Sequence, residues 1–145
     1  MTSPDALRET ALRAMARSHS PHSRFAVGAA IEDDLGNVHA GANIECVATP
    51  LGACAESAAI AHMVMGGGPE RRIRAVAVVG GRHDEGPVTV CTPCGGCRQR
   101  LAEFVEPERM GDVPVHLCTA DGIAATMTLA ELLPGTFTAV LGDSA

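Results

Sequence analysis

Two short motifs that lie far apart in the chain contain residues able to bind a metal ion and transfer a proton. The first, CAE, begins at Cys54, and the second, PCGGC, contains Cys94 and Cys97. Two cysteines separated by two residues can bind one side of a tetrahedral zinc ion, and Cys54 supplies a third thiolate. Three protein ligands leave one position open, which is typical of catalytic zinc, because water there becomes acidic enough to act as a nucleophile. Glu56 follows Cys54 closely enough to shuttle protons beside the metal.

The remaining cysteines leave other readings open. Cys91 stands three residues before Cys94, so Cys91, Cys94 and Cys97 begin like an iron–sulfur sequence. The fourth ligand of such a sequence would fall at position 101, which is Leu101. We therefore interpret Cys91 as a core thiol on a strand, and Cys46 and Cys118 as core or loop residues. Without the cysteine motifs, Glu56 would be read as a first-turn glutamate favoured by the helix dipole.

The elements that position these motifs alternate between helices and strands. Ser3 is a predicted helix cap with Pro4 at the first helical position, and Cys54 and Glu56 fall in the first turn of a later helix. We expect both motifs to begin helices, whose N-termini stabilise thiolates. Helices are predicted over residues 4–18, 52–65, 99–105 and 129–133, and strands over residues 26–31, 38–43, 73–80, 113–119 and 125–128. This order predicts a single α/β domain over residues 1–145, with three α/β/α layers and a mixed five-stranded sheet.

The composition limits the class of function. The chain has 145 residues with a net charge of −6, from 11 basic and 17 acidic residues. Polynucleotides require a basic surface, so we expect no nucleic-acid partner. No apolar run approaches the length of a membrane span, and the N-terminal residues do not resemble a signal peptide. Six cysteines without a secretory signal indicate thiols and metal in a reducing compartment, so we expect a cytoplasmic protein with no membrane partner.

Beyond the zinc motif, several segments resemble the small homotetrameric zinc-dependent cytidine deaminases. The resemblance extends from about residue 18 to residue 137 and implies a cytidine-deaminase-like fold, a homotetramer and a role in pyrimidine salvage. The zinc motif alone is shared with the wider deaminase superfamily, whereas the segments around Phe25 and Asn43 are similar to those of nucleoside deaminases. The matching segments are SPHSRFAVGAA at 20–30, GANIE at 41–45, CAE at 54–56, PCGGCRQ at 93–99 and ELLPxxF at 131–137.

The resemblance implies a role for each residue around the metal. Glu56 takes a proton from the zinc-activated water, protonates ring N3 and then assists departure of the amine. The backbone of Ala55 and the carbonyl of Thr92 contact the edge of the pyrimidine. One zinc ion per chain is bound by Cys54, Cys94 and Cys97.

The resemblance also implies how the nucleoside is held. Asn43 and Glu45 bind the 3′-hydroxyl of the ribose, and Phe25 stacks on the base. Phe137 is expected to reach the base in a neighbouring subunit. These residues would make a pyrimidine nucleoside the small-molecule partner of the protein.

Three features depart from the family pattern. Ser57 occupies a position where the family commonly has an arginine that hydrogen-bonds the thiolates. We expect the helix N-termini, and Arg98 beside the second motif, to balance the sulfur charge instead. Residues 46–49 (CVAT) differ from the usual segment at the pocket rim, and His19 and His22 occupy positions where tyrosines are common.

The sequence thus predicts hydrolytic deamination of cytidine and deoxycytidine to uridine and deoxyuridine. An alternative within the enzymes is an aminohydrolase of a cytosine-nucleoside antibiotic of the blasticidin-S kind, which need not bind a ribose 3′-hydroxyl. An alternative from another class is a non-catalytic nucleoside-binding protein on the same scaffold. Asn43 and Glu45 favour cytidine over the first alternative, and Glu56 is an argument against the second.

Overall fold

A mixed six-stranded sheet forms the centre of the protein in the computed structural model, which describes residues 1–138. The strands are β1 (Phe25–Asp33), β2 (Val38–Ala42), β3 (Ile73–Arg82), β4 (Gly86–Thr89), β5 (Pro114–Thr119) and β6 (Gly122–Thr128). Five of them lie in the order β2-β1-β3-β5-β6, and β4 pairs with β3 beside this path. Within this part of the chain only β3 and β5 pair in parallel, and the other pairs are antiparallel.

Helices cover both faces of the sheet because its central strands alternate their apolar side chains between two cores. Ala30 of β1 and Val79 of β3 face the core beneath the first helix, whereas Ile31 and Val78 face the core beneath the other three. The three predicted layers are therefore confirmed. The helices are α1 (Pro4–Met15), α2 (Ala55–Gly67), α3 (Gly95–Glu103) and α4 (Leu129–Leu132). No helix in the described residues has the length and apolar character needed to cross a bilayer.

The prediction of five strands is wrong, because β4 forms a sixth. This strand has four residues, is partly or fully exposed along its length, and pairs only with the end of β3. It therefore lacks the alternating burial that reveals a strand in sequence. The prediction of a helix over 99–105 also placed its start too late. The helix α3 begins at Gly95, and the two glycines of its first turn, which are poor helix formers, explain why the sequence pattern indicated a later start.

Two glycines allow helices to approach the sheet closely. A Cβ atom at Gly28 would lie 2.0 Å from the carbonyl oxygen of Ala11 in α1. A Cβ atom at Gly41 would lie 2.3 Å from the amide nitrogen of Ala59 and 2.5 Å from the carbonyl oxygen of Ala55 in α2. The opposing atoms belong to helix backbone and cannot rotate away, so a side chain would have to displace the helix. The N-terminus of α2, which carries the first motif, is therefore positioned by contact with Gly41.

We expect Gly41→Ala to lower the free energy of unfolding by about 2 kcal/mol or more, because overpacking against backbone forces α2 off the sheet. Chemical denaturation followed by circular dichroism measures this loss. Gly66→Ala is the matched control, since its added Cβ would meet no atom within 4 Å. The control replaces a helical glycine and should stabilise the protein by about 0.5–1 kcal/mol. A Gly41→Ala protein as stable as the wild type would contradict the close contact.

Candidate metal and substrate site

The two cysteine motifs meet where α2 and α3 begin. Cys54 caps the N-terminus of α2 and Cys94 that of α3, and both have extended backbones immediately before the helix. Cys97 lies in the first turn of α3 and is fully buried. The first helical hydrogen bonds, from Ala58 N–H to Cys54 and from Arg98 N–H to Cys94, use the carbonyls of the capping cysteines. Two positive helix ends therefore lie beside the three sulfur atoms.

The three thiols form a donor set that fits zinc. Their sulfur atoms lie within 4.8 Å of one another, near the separation of about 3.8 Å that Zn–S bonds of ~2.3 Å give in a tetrahedron. Burial raises the pKa of the Cys97 thiol, and the nearby Glu56 carboxylate raises it further. Burial likewise raises the pKa of Cys54. A dication that binds thiolates is therefore required to deprotonate these groups at neutral pH, and three protein ligands leave a position for a reacting molecule.

The open side of this cluster faces a cavity of about 440 Å³, within the range of small-molecule sites. Glu56, in the first turn of α2, is 4% exposed and lines the cavity beside Cys54 and Cys94. Ala55 and Thr92 line it as well. Glu56, the expected proton shuttle, thus lines the same cavity as Ala55 and Thr92, the expected contacts to the base.

Another part of the cavity wall is built on residues 43–45, which are bound on both sides by backbone hydrogen bonds. On one side, His19 N–H donates to the Asn43 carbonyl at 3.1 Å, and Glu45 N–H donates to the His19 carbonyl at 2.7 Å. On the other side, Ile44 and Ala53 exchange two hydrogen bonds of 3.0 and 2.8 Å. Because Ala53 directly precedes Cys54, this pairing places residues 43–45 next to the metal ligands.

The side chains of Asn43 and Glu45 both line the cavity. Oε1 of Glu45 accepts backbone N–H groups of His22 at 2.9 Å and Ser23 at 3.1 Å. Hydrogen bonds from Ser23 and His22 hold the pKa of Glu45 below its usual range, so its carboxylate is ionised at neutral pH. The Ser23 hydroxyl is a further donor to this carboxylate, which lines the cavity and can also accept a hydroxyl group of a ligand.

Two predicted aromatic contacts do not line this cavity. Phe25 lies over Gly80 near Cys91, with its Cε1 atom 3.1 Å from the position of a Cβ on that glycine. Phe137 is 73% exposed and its backbone is hydrogen-bonded to the side chain of Gln99. Stacking of Phe25 on a base and contact of Phe137 with a neighbouring subunit's site stay predictions.

The expectation that Arg98 balances the thiolate charge is not supported by its contacts. Its Nε donates to the Pro93 carbonyl at 2.8 Å and its Nη1 to the Leu132 carbonyl at 3.0 Å. No hydrogen bond in the described residues joins it to a cysteine sulfur. Arg98 instead fixes the loop before Cys94 to the end of α4. Ser57 is half-buried in the first turn of α2 and makes no hydrogen bond through its side chain within the same residues.

Several residues of the cavity wall were absent from the predicted site. Cys46 and Thr49 line the cavity and belong to the segment in which the sequence departs from the family. Their proximity to Asn43 and Glu45 in sequence is the signal that points to them. Cys91 also lines the cavity, but its sulfur is not part of the metal-binding group found in the described residues. His22 lines the cavity, whereas His19 contributes through its backbone.

The chain matches, over residues 1–110, a family model described as the cytidine and deoxycytidylate deaminase zinc-binding region. The layered fold and the cysteine site together define a zinc-dependent deaminase. The chain belongs to this cytidine deaminase family, and the predicted zinc cofactor is confirmed by the family and by the three-cysteine cluster.

Relatives and solved structures agree with this assignment. A cytidine deaminase of Sporosarcina psychrophila is 40% identical over 125 residues, which are 86% of this chain and 84% of the relative. The crystal structure of cytidine deaminase from Mycobacterium tuberculosis has a TM-score of 0.77 at 34% identity and covers 96% of this chain and 100% of its own. The cytidine deaminase structure from Burkholderia pseudomallei has a TM-score of 0.79 at 32% identity, with coverage of 94% and 100%.

We expect Cys94→Ala and Cys97→Ala to lose zinc, because two thiolates cannot complete the site. Cys91→Ser should retain one zinc ion per chain and serves as the matched control, since its thiol lines the same cavity without joining the cluster. Elemental analysis of each purified variant measures the metal. Zinc loss in Cys91→Ser, or iron in the wild type, would show that the ligand set is assigned incorrectly.

Proposed function

We propose that the protein hydrolyses cytidine and deoxycytidine to uridine or deoxyuridine and ammonia. The observation that carries this proposal is the convergence of five groups on one cavity. Two cysteine ligands, Glu56, Asn43 and Glu45 all line it. The cysteine ligands and Glu56 can carry out chemistry on a base, and Asn43 and Glu45 can bind a sugar. The lining of the cavity therefore suits a nucleoside.

The residues of the chain divide the reaction into binding and proton transfer. A zinc ion, when bound, supplies Lewis acidity that makes a water molecule acidic near neutral pH. The Glu56 carboxylate accepts a proton from the water that attacks C4 and delivers it to N3 of the pyrimidine. It then carries the second proton of that water to the departing amine, which leaves as ammonia. The walls around Glu56 exclude bulk water from it, and the Thr92 carbonyl accepts a hydrogen bond from the pyrimidine edge.

The sugar contacts distinguish a nucleoside from an antibiotic lacking the ribose 3′-hydroxyl. A hydroxyl group donates one hydrogen bond and accepts others. The Glu45 carboxylate accepts, and the amide of Asn43 supplies a donor, so this pair suits a hydroxyl. The antibiotic alternative has no comparable support, because a ligand that does not present this hydroxyl makes no use of the acceptor on Glu45 and the donor on Asn43.

We further propose a homotetramer in the cytoplasm. Ile44, Val47 and Leu51 form an exposed apolar edge beside the cavity, with Val47 84% exposed. Such an edge is suited to contact with another subunit. None of the six cysteines forms a disulfide within residues 1–138, in keeping with a reducing compartment. The net charge of −6 disfavours a polynucleotide substrate.

The substrate is tested by ammonia release from cytidine, deoxycytidine, cytosine, dCMP and blasticidin S. We expect the first two to be deaminated at the highest kcat/KM, because only they combine the base with an unmodified sugar that reaches Asn43 and Glu45. The zinc-free protein is the control. Deamination of blasticidin S with cytidine untouched would establish the antibiotic alternative, and binding of cytidine without turnover would establish the non-catalytic one.

The role of Glu56 is tested by Glu56→Gln. The amide cannot accept the proton, so kcat for cytidine should fall by ~10²–10⁴-fold. Zinc content and binding of uridine should be retained, because the amide has nearly the same shape as the carboxyl group. Steady-state kinetics, elemental analysis and calorimetry measure the three quantities. Turnover within a few-fold of the wild type would remove Glu56 from the mechanism.

A further inference from the structure

A chain of three side chains leads away from Asn43 to the surface on the far side from the cysteines. Ser18 Oγ donates a very short hydrogen bond to Asn43 Oδ1. The hydroxyls of Ser18 and Ser20 are 3.0 Å apart, and Ser20 Oγ lies 2.7 Å from Nε2 of His83. Ser20 is 2% exposed, so the chain passes through the protein interior. Ser18, Ser20 and His83 were not among the predicted site residues.

The orientation of the Asn43 amide follows from its partners. Val27 N–H, which can only donate, lies 2.8 Å from one atom of the amide, so this atom is the acceptor Oδ1. The other atom, Nδ2, donates to the Phe25 carbonyl at 2.9 Å. An amide nitrogen carries two hydrogens, so one N–H of Asn43 remains for a ligand in the cavity that this residue lines.

The direction of the hydrogen bonds in the chain is also fixed. Each serine has one proton to donate. If Ser18 donates to Asn43, then Ser20 must donate to Ser18, and His83 Nε2 must donate to Ser20. Any other assignment leaves two oxygen lone pairs facing each other at 3.0 Å or less. All donors therefore point towards Asn43, which increases the polarity of its free N–H.

His83 is held in place by the backbone as well as by Ser20. It directly follows β3, and its N–H donates to the Arg24 carbonyl at 2.9 Å. Arg24 has a left-handed backbone with φ 57°, and its own N–H donates to the Ser20 carbonyl at 3.0 Å. The imidazole is thus anchored to the segment that contains Ser20, although its ring is at the surface.

We infer that Ser18, Ser20 and His83 are positioning residues for sugar recognition. They hold the Asn43 amide with Oδ1 turned inward, so that its free N–H meets the oxygen of a hydroxyl whose proton goes to Glu45. The amide thereby selects a hydroxyl-bearing sugar, because an inverted amide would present a second acceptor beside Glu45 to a hydroxyl that has only one proton. This inference rests on the proposed function, because it assigns the donor to the sugar of a cytosine nucleoside.

The test compares kcat/KM for cytidine and 3′-deoxycytidine in zinc-loaded wild type, Ser18→Ala and His83→Leu. Loss of the donor should lower kcat/KM for cytidine about five- to twentyfold in Ser18→Ala and by a smaller factor in His83→Leu. Activity on 3′-deoxycytidine should change less than about twofold, because that substrate lacks the hydroxyl that the amide meets. His83→Gln should restore activity, since its amide N–H can replace Nε2–H. His62→Leu, a change at another exposed histidine, is the control and should leave both substrates unaffected.

The outcomes separate this inference from the proposed function. Equal losses on both substrates would assign Ser18 a general structural role, and unchanged kinetics in Ser18→Ala and His83→Leu would remove the chain of donors from recognition. A wild type that deaminates neither substrate would refute the proposed function instead. In that case the side-chain amide signals of Asn43 in NMR spectra still decide the positioning role. They should shift and exchange faster with water in Ser18→Ala if the amide is released, and unchanged signals would overturn the inference.

Discussion

The arrangement of this protein depends on how three thiolates and a carboxylate are accommodated in one small volume, in which Cys97 and Glu56 are buried. Like charges at such distances repel strongly in a medium of low polarity. The chain opposes this repulsion by beginning two helices at Cys54 and Cys94, so that positive helix ends lie beside the sulfurs. A zinc ion supplies the rest of the compensating charge. The close contact of α2 with Gly41 then holds the N-terminus of this helix against the sheet.

The chemistry of the site could be predicted from sequence because its signal is local. Spacing within the two motifs determines which sulfurs share a metal, and Glu56 is fixed relative to Cys54 by a single helical turn. The layered fold could be predicted for a similar reason, since β1 and β3 are long and strongly apolar. The strand β4 and the first residues of α3 were not predicted, because their local sequence signals are weak. The strand is short and exposed, and the helix begins with two glycines.

The contacts that could not be predicted join residues distant in sequence. Arg98 was expected near sulfur because it follows Cys97, but its donors reach a carbonyl of α4. The support behind Asn43 comes from Ser18 and His83, which no short motif connects. Spacing along the chain shows which residues can share a helix turn. It does not show which side chains will contact the site residues from behind, because those contacts depend on how strands pair.

The paired backbone of Ile44 and Ala53 has a consequence for how the family can diversify. These two residues close the base of a loop over residues 45–52, and their two backbone hydrogen bonds hold its ends together. Lengthening a loop with fixed ends is cheap, about 0.6 kcal/mol for each doubling. Cys46 and Thr49, which line the cavity, can therefore be replaced, and residues can be inserted between them. Such changes leave in place Asn43 before the loop and the metal ligands after it. Evolution can retune which nucleosides enter while the reacting groups remain as they are.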